Sequence, residues 1–583
     1  MNNYVKCLKH LFSLLCFNFF DLMSIINRLF FFSLFFCSAQ NPYPENYFLN
    51  PINGKLILSG TFAELRSNHF HSGIDIKTNG AEGLSVFSSA EGYVSRIKVS
   101  HYGYGKALYI THPNGYTSVY AHLQKFSPKI EAFVKSKQYE IEEYEIQLFP
   151  KNNLIEINRN ELIGFSGNTG GSSGPHLHFE IRDNKERPLN PMMFGIDIDD
   201  TIKPTIYELY MYPQYEDSNV NEQDKRKKIK LIKLNDGNYV TPTVEANGLI
   251  GFGVVANDKQ NYAMNKNGVS SIKSYYNSEK YIEVNFNRFS FDESKHINRY
   301  IDYYYYKKNK KRIQKLFIEK NNPLSIFSYN KNKGLVRVLD STKSIFSIDI
   351  LDYKGNKTNI KIPIKAGGKN LIKQNKYKTH IISDEKIILG NELIYAEIPA
   401  KSFYENVSID FFIHNDTINI HEPTIPLQKS IQINFNIKKF FEDDKKYLFI
   451  GSINEKGEII YNKTNRTGDF LNTKTRNLGV YTIGIDKKAP SIKAKNFSNS
   501  AWISNNKYLK LKINDEISGI KNYRATVNGD WILMEYDPKT NTLTHDFSDG
   551  IINRTENKLE LIVTDNVGNS SKFESYFYRK LKD

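Results

Sequence analysis

GNTGGSSGPHLHFEIRDN, residues Gly167 to Asn184, sets a run of glycines and serines directly before two histidines one residue apart. In a β-strand, side chains two apart point to the same face. His176 and His178 therefore project into one space, while Phe179 faces the other way and can seat the strand in a core. Two imidazoles on one rigid wall are half of a metal site. The glycines of Gly167–Gly174 let backbone approach closely beside it, where larger side chains would obstruct a ligand.

The histidine distribution locates the other half, because seven of the thirteen fall between His69 and His178. HFHSGIDIKTNG (His69–Gly80) holds His71 and Asp75, four apart. VYAHL ends a strand at His122, after a hairpin turned at Pro113-Asn114-Gly115. A catalytic zinc takes three nitrogen or oxygen ligands and keeps a fourth position open for water. His71, Asp75 and one histidine of the His-x-His pair fill three positions. The other histidine of the pair and His122 remain as free imidazoles, one to take a proton from water and one to stabilise an oxyanion. These parts add up to metal-assisted hydrolysis. His69, His101 and His112 read as surface or turn histidines.

HFHSGIDI, YAHL and GNTGGSSGPHLHFEI resemble the signature blocks of the lysostaphin/LytM-type zinc metallopeptidases, which cut peptide cross-links in bacterial cell walls. The resemblance covers residues 43–195. It implies that His71, Asp75 and His178 ligate one Zn2+ per chain and that His122 and His176 are the catalytic pair. It also implies a compact antiparallel β domain of barrel-sandwich type, with the zinc on the floor of a groove that takes peptidoglycan stem peptides. All five positions are intact. That favours an enzyme over a non-catalytic envelope-binding regulator or scaffold on the same fold; a zinc peptidase acting on proteins is a further alternative. The departure is the long segment Gln124–Asn160. It reads as a hairpin around Pro150, either a plain surface feature or a groove wall offering Glu140, Glu142, Glu143 and Glu145 to substrate amino groups.

Outside this region the chain reads as all-β and multidomain, with partly alternating β-branched and aromatic runs bounded by Asn, Gly, Asp and Pro. At 583 residues it is too long for one core. Residues 1–39 read as a secretory signal, with Met23 a second candidate start, so the protein is expected in the periplasm, envelope or exterior of a bacterium. No stretch reaches the length of a membrane span. Removing that segment takes away Lys6, Lys9, Arg28 and Asp21, leaving a net charge of +14. It also removes all the cysteines (Cys7, Cys16 and Cys37), so each domain must rely on its own core. Scattered lysines without a recognition motif speak against nucleic acid and for an anionic wall.

A weak repeat divides the remainder. DTIKPTI (Asp200–Ile206) matches DKKAPSI (Asp486–Ile492), VVAND ending at Asp258 matches LKIND ending at Asp515, and DYKGN (Asp352–Asn356) matches DNVGN (Asp565–Asn569). The expected organisation is a peptidase domain at 40–199, an immunoglobulin-like β-sandwich at 200–367, a β-rich domain at 368–485 and a second immunoglobulin-like sandwich at 486–583. The three C-terminal units either position the peptidase on the wall or on envelope proteins, or serve as simple spacers.

Overall fold

The computed structural model describes residues 43–215, 217–339, 343–367 and 379–580, and strands dominate all of them. The expected signal at 1–39 lies outside the described residues. The first unit is built on an antiparallel sheet. Its strands run in the order Leu58–Gly60, Ile74–Lys77, His176–Arg182, Thr117–Leu123, Lys106–Thr111, Gly92–Val99 and Ile146–Leu148. A small three-stranded sheet packs beside it. His176–Arg182 sits between two neighbours and follows the alternation expected of it. Leu177, Phe179 and Ile181 are fully buried in a core with Ile74, Ile76 and Tyr120.

The segment after His122 is not the expected hairpin. Pro128–Ile141 is an α-helix, opened by Pro128 and closed at Glu142 in the left-handed region (φ 53°). Ile130, Val134 and Gln138 recur every four residues on its buried face, a helical period that outweighs the local alternation of YEIEEYEIQLF. The two short strands that follow, Ile146–Leu148 and Glu156–Ile157, both pair with Gly92–Val99 and not with each other. The four glutamates do not line a groove either. Glu140 pairs with Lys137, Glu142 with Arg524, and Glu145 accepts the His101 N–H at 2.7 Å.

This helix is clasped by the C-terminal unit. Lys135 and Tyr139 both reach Asp549, at 2.5 and 2.8 Å. Trp531 packs edge-on to Tyr139, and Leu533 is buried in the core of the first unit. Buried Lys106 pairs with Glu535 at 2.7 Å. The unit following residue 200 also shares its core with the first, since Phe62, Ala63 and Phe70 pack among its buried residues. Its Tyr-rich insertion forms the short helices Ile297–Tyr300 and Tyr303–Asn309. These lie against the loop at Ser67 and Asn68 through Tyr306 and Asn298. Separate cores fill the segments from Ile381 to Tyr481 and from Ile503 to Phe577.

The sequence repeat has a structural counterpart. Asn356 Nδ2 donates to Asp352 Oδ2 and to the Asp200 carbonyl, and Asn569 Nδ2 makes the same two bonds to Asp565 Oδ2 and the Asp486 carbonyl.

Because Leu533 fills a hole in the core of the first unit, Leu533→Ala should destabilise that unit by about 2–5 kcal/mol. Hydrogen exchange of the Pro128–Ile141 helix should speed up with it. Unchanged protection of the helix would show that the clasp carries no load.

Candidate active site

The sheet register assembles the site. His176–Arg182 pairs with Ile74–Lys77 so that His178 stands opposite Asp75, and with Thr117–Leu123 so that His178 stands opposite Ala121, next to His122. Gly73 lies under this strand: a Cβ there would sit 2.2 Å from the Phe179 carbonyl, so no larger residue fits at that position. Gly170, at φ 73°, packs against the backbone of Gly105 with similar closeness, as the glycine run led us to expect.

His71 Nε2, Asp75 Oδ1 and His178 Nδ1 form a triangle with sides of 3.0, 3.1 and 2.9 Å. Donors about 2.0–2.1 Å from one tetrahedral ion stand roughly 3.3 Å apart, so these three atoms can hold a single metal ion. Each donor is oriented from behind. His71 Nδ1 donates to the Thr61 carbonyl at 2.7 Å, which leaves Nε2 with its lone pair toward the site. His178 Nε2 bonds Glu180 Oε1 at 2.8 Å. Arg66 Nη2 donates to Asp75 Oδ2 at 2.9 Å, leaving Oδ1 for the site.

Glu180 is the hub of this support. Its Oε1 also accepts the Ser72 and Tyr104 hydroxyls, each at 2.6 Å, and its Oε2 accepts Arg182 Nε at 2.6 Å. Burial alone would raise its pKa, but Arg182 and His178 outweigh burial and hold the carboxyl well below the usual range. Burial likewise works against a charge on His178, yet its bonds to Asp75 and Glu180 push it up to about 9. Two buried carboxylates therefore demand a positive charge at His178 Nδ1, and a proton or a metal ion meets that demand.

His122 and His176 complete the arrangement. Their rings lie 4.8 Å apart, centroid to centroid. His122 adopts φ 58° at the end of its strand, a conformation rare for a residue with a Cβ, and this turns its ring toward the site. Its Nδ1 donates to the Thr169 carbonyl at 2.8 Å, and His176 Nδ1 donates to the Gly174 carbonyl at 2.8 Å. His176 Nε2 lies 3.4 Å from Asp75 Oδ1. Burial, then His178 and His176, push the His122 imidazole down to about 3, so it is neutral near physiological pH. All five expected residues thus meet in one place, on the floor of a groove of about 1220 Å³. The opposite wall includes Phe291, Ser294 and Lys295 from the second unit. His69 lines the groove, whereas His112 is a buried histidine satisfied by the Glu91 carbonyl and Ser118.

With this geometry in place, residues 69–139 match Peptidase family M23. The N-terminal unit thus carries a match to the M23 peptidases. The matched stretch includes His71, Asp75 and His122, while His176 and His178 join them through sheet pairing. The chain is 36% identical over 132 residues to the DD-carboxypeptidase/endopeptidase Mpg of Neisseria meningitidis, across 23% of this chain and 24% of that one. It is 30% identical over 152 residues to the peptidoglycan DD-endopeptidase ShyA of Vibrio cholerae, across 25% and 29%. The chain thus spans about a quarter of the length of these curated relatives. A solved zinc-containing peptidase from Vibrio cholerae is 27% identical, across 25% of this chain and 40% of that one, with a TM-score of 0.19. Residues 378–486 match the Zu5-like domain, a β domain.

Sequence reasoning missed Thr61, Arg66, Tyr104 and Glu180 around the M23 site. Glu180 was within reach, being the next same-face position after His176 and His178. Thr61, Arg66 and Tyr104 sit in loops without any period to mark them. Glu180→Gln should keep the fold but weaken metal binding about 10–100-fold, because His178 loses its charged partner. Competition against a chelator of known affinity measures this; an unchanged affinity would remove Glu180 from the site.

Proposed function

We propose that this protein is an exported zinc metalloendopeptidase that hydrolyses the peptide cross-links of bacterial peptidoglycan. One observation carries the reading: two imidazoles, His122 and His176, stand uncoordinated beside the donor set of His71, Asp75 and His178. Zinc held by those three supplies Lewis acidity and lowers the pKa of a water to about 7. His122 and His176 each donate Nδ1–H to a backbone carbonyl and so turn Nε2 into the groove. One ring takes the proton of the attacking water. The ring that carries a proton then hydrogen-bonds the oxyanion of the tetrahedral intermediate and delivers the proton to the leaving amine. Arg66 and Thr61 hold Asp75 and His71 still meanwhile, so little reorganisation is needed as charge develops.

The groove itself supports an acidic peptide substrate. Lys55, Arg66, Lys77 and Lys295 line it, and Asp75 is the one carboxylate among its described lining residues. Carboxylates of wall stem peptides match that sign. The relatives described as peptidoglycan endopeptidases support the same substrate class. We read residues 200–367 and 486–583 as immunoglobulin-like sandwiches flanking the unit at 368–485. The contacts of Phe291 and Lys295 support a role for the first sandwich in shaping the groove, and all three units would hold the peptidase against the wall or envelope proteins.

Incubation of the zinc-loaded protein with isolated walls should release muropeptides, and a chelator should stop it. His71→Ala and Asp75→Ala should lose metal and activity together. His176→Ala should keep about one zinc per chain while turnover falls about 10²–10⁴-fold. Native turnover by His176→Ala would refute the assigned roles. Zinc-loaded protein that binds walls without cutting them would instead support a scaffold, and cleavage of a protein substrate alone a different peptidase.

A further inference from the structure

Asp200, Asp258 and Asp352 come from three separate segments of the second unit: the linker leaving the peptidase, the end of the strand Val244–Asn257 and the turn before the last strand. One oxygen from each lies within 4.8 Å of the other two. Asp258 and Asp352 are both about 95% buried. The turns account for part of this: Asp352 takes the Asn356 N–H and side-chain amide, and Asp200 takes the Ile202 N–H. They leave one oxygen of Asp258 unaccounted for. Its Oδ1 is sealed from solvent and has no hydrogen-bond partner. Burial, followed by the charges of Asp200 and Asp352, pushes its carboxyl up to about 8. Lys354 lines the same cavity and acts on Asp200, but its ammonium is paired with Asp197 at 3.2 Å.

Asp200 and Asp258 open onto a cavity of about 30 Å³, room for a water beside an ion. We propose that this cluster is a binding site for a hard divalent cation of the calcium type, which ties the second unit to the peptidase. The donors on offer are carboxylate oxygens with no nitrogen or sulfur, the set that Ca2+ takes, with carbonyls and waters completing its six to eight ligands. The unpartnered Asp258 oxygen is the ligand atom that protein contacts leave over.

The location gives the ion its role. Two residues beyond Asp258, Gln260 bonds the Leu56 carbonyl and the Leu58 N–H, closing the edge of the peptidase sheet at 2.9 and 2.8 Å. Tyr353, next to Asp352, packs against the peptidase core. Thr61, whose carbonyl orients His71, bonds Gly268 N in the same junction and lines the same cavity. A cation here fixes the linker, the strand end and the turn that seat the second unit, and with them the groove wall at Phe291 and Lys295. This site stands whether or not the peptidase assignment does, since it shares no residue with the zinc ligands. The repeat places Asp486, Asp515 and Asp565 in the same arrangement in the last unit, but none of their oxygens is both sealed from solvent and without a hydrogen-bond partner.

Calorimetric titration of CaCl2 into the zinc-loaded full chain, in buffer freed of calcium, tests the proposal. The wild-type protein should bind calcium, and its melting temperature should rise by about 5–10 °C when calcium exceeds Kd about 100-fold. Asp258→Asn and Asp352→Asn should each bind one calcium fewer per chain than the wild type, while Asp515→Asn should retain that ion. In calcium-free buffer Asp258→Asn should melt no lower than the wild type, because an uncharged amide replaces a carboxyl whose anion burial and two neighbouring carboxylates already disfavour. Absence of calcium binding by the wild type, or an undiminished count in both Asp258→Asn and Asp352→Asn, would overturn the proposal.

Discussion

The structure turns on one strand register. His176–Arg182 lies between Ile74–Lys77 and Thr117–Leu123, and the backbone ladder on each side fixes where every second side chain can go. A slip of one residue would exchange Phe179 for His178, sending an aromatic ring into the groove and an imidazole into the core. The burial of Leu177, Phe179 and Ile181 makes that slip costly, so hydrophobic packing on one face holds the chemistry of the other in register. Donor geometry and the closeness of Gly73 both follow from it.

Behind that register stands a buried polar network that would be a liability without a cation. Asp75 and Glu180 sit on either side of His178, Arg182 balances Glu180, and Arg66 balances the outer oxygen of Asp75. Such networks rigidify a site when every member is satisfied and destabilise it when one is not. Here the remaining demand falls at the point where His71, Asp75 and His178 converge. The acidic cluster at the junction with the second unit follows the same logic with oxygen donors only.

The units beyond residue 200 are not beads on a string. The second contributes a wall of the groove and shares its core with the peptidase, and the last clasps the Pro128–Ile141 helix. The peptidase is thus braced by both. Its groove stays open between the glycine-rich loop at Gly171–Gly174 and the short helix Phe291–Ser294.

The amino-acid sequence alone determined the β class and the peptidase family, and it named five residues that the fold brings together. These features are written in local spacing: a strand's two-residue period, a turn's glycines, an aspartate four residues after a histidine. The Asp–Pro and Asp-x-x-Gly-Asn repeat was legible for the same reason. Tertiary structure decided the rest. Alternation misread Gln124–Asn160 because two periods compete there, and packing of Ile130 and Val134 into the core, with Trp531, Leu533 and Asp549 against the same helix some four hundred residues away, decides for the helical one. Arg66, Thr61 and the groove wall at Phe291 carried no period at all. Their roles come from distances across the fold, which a linear pattern of residues does not encode.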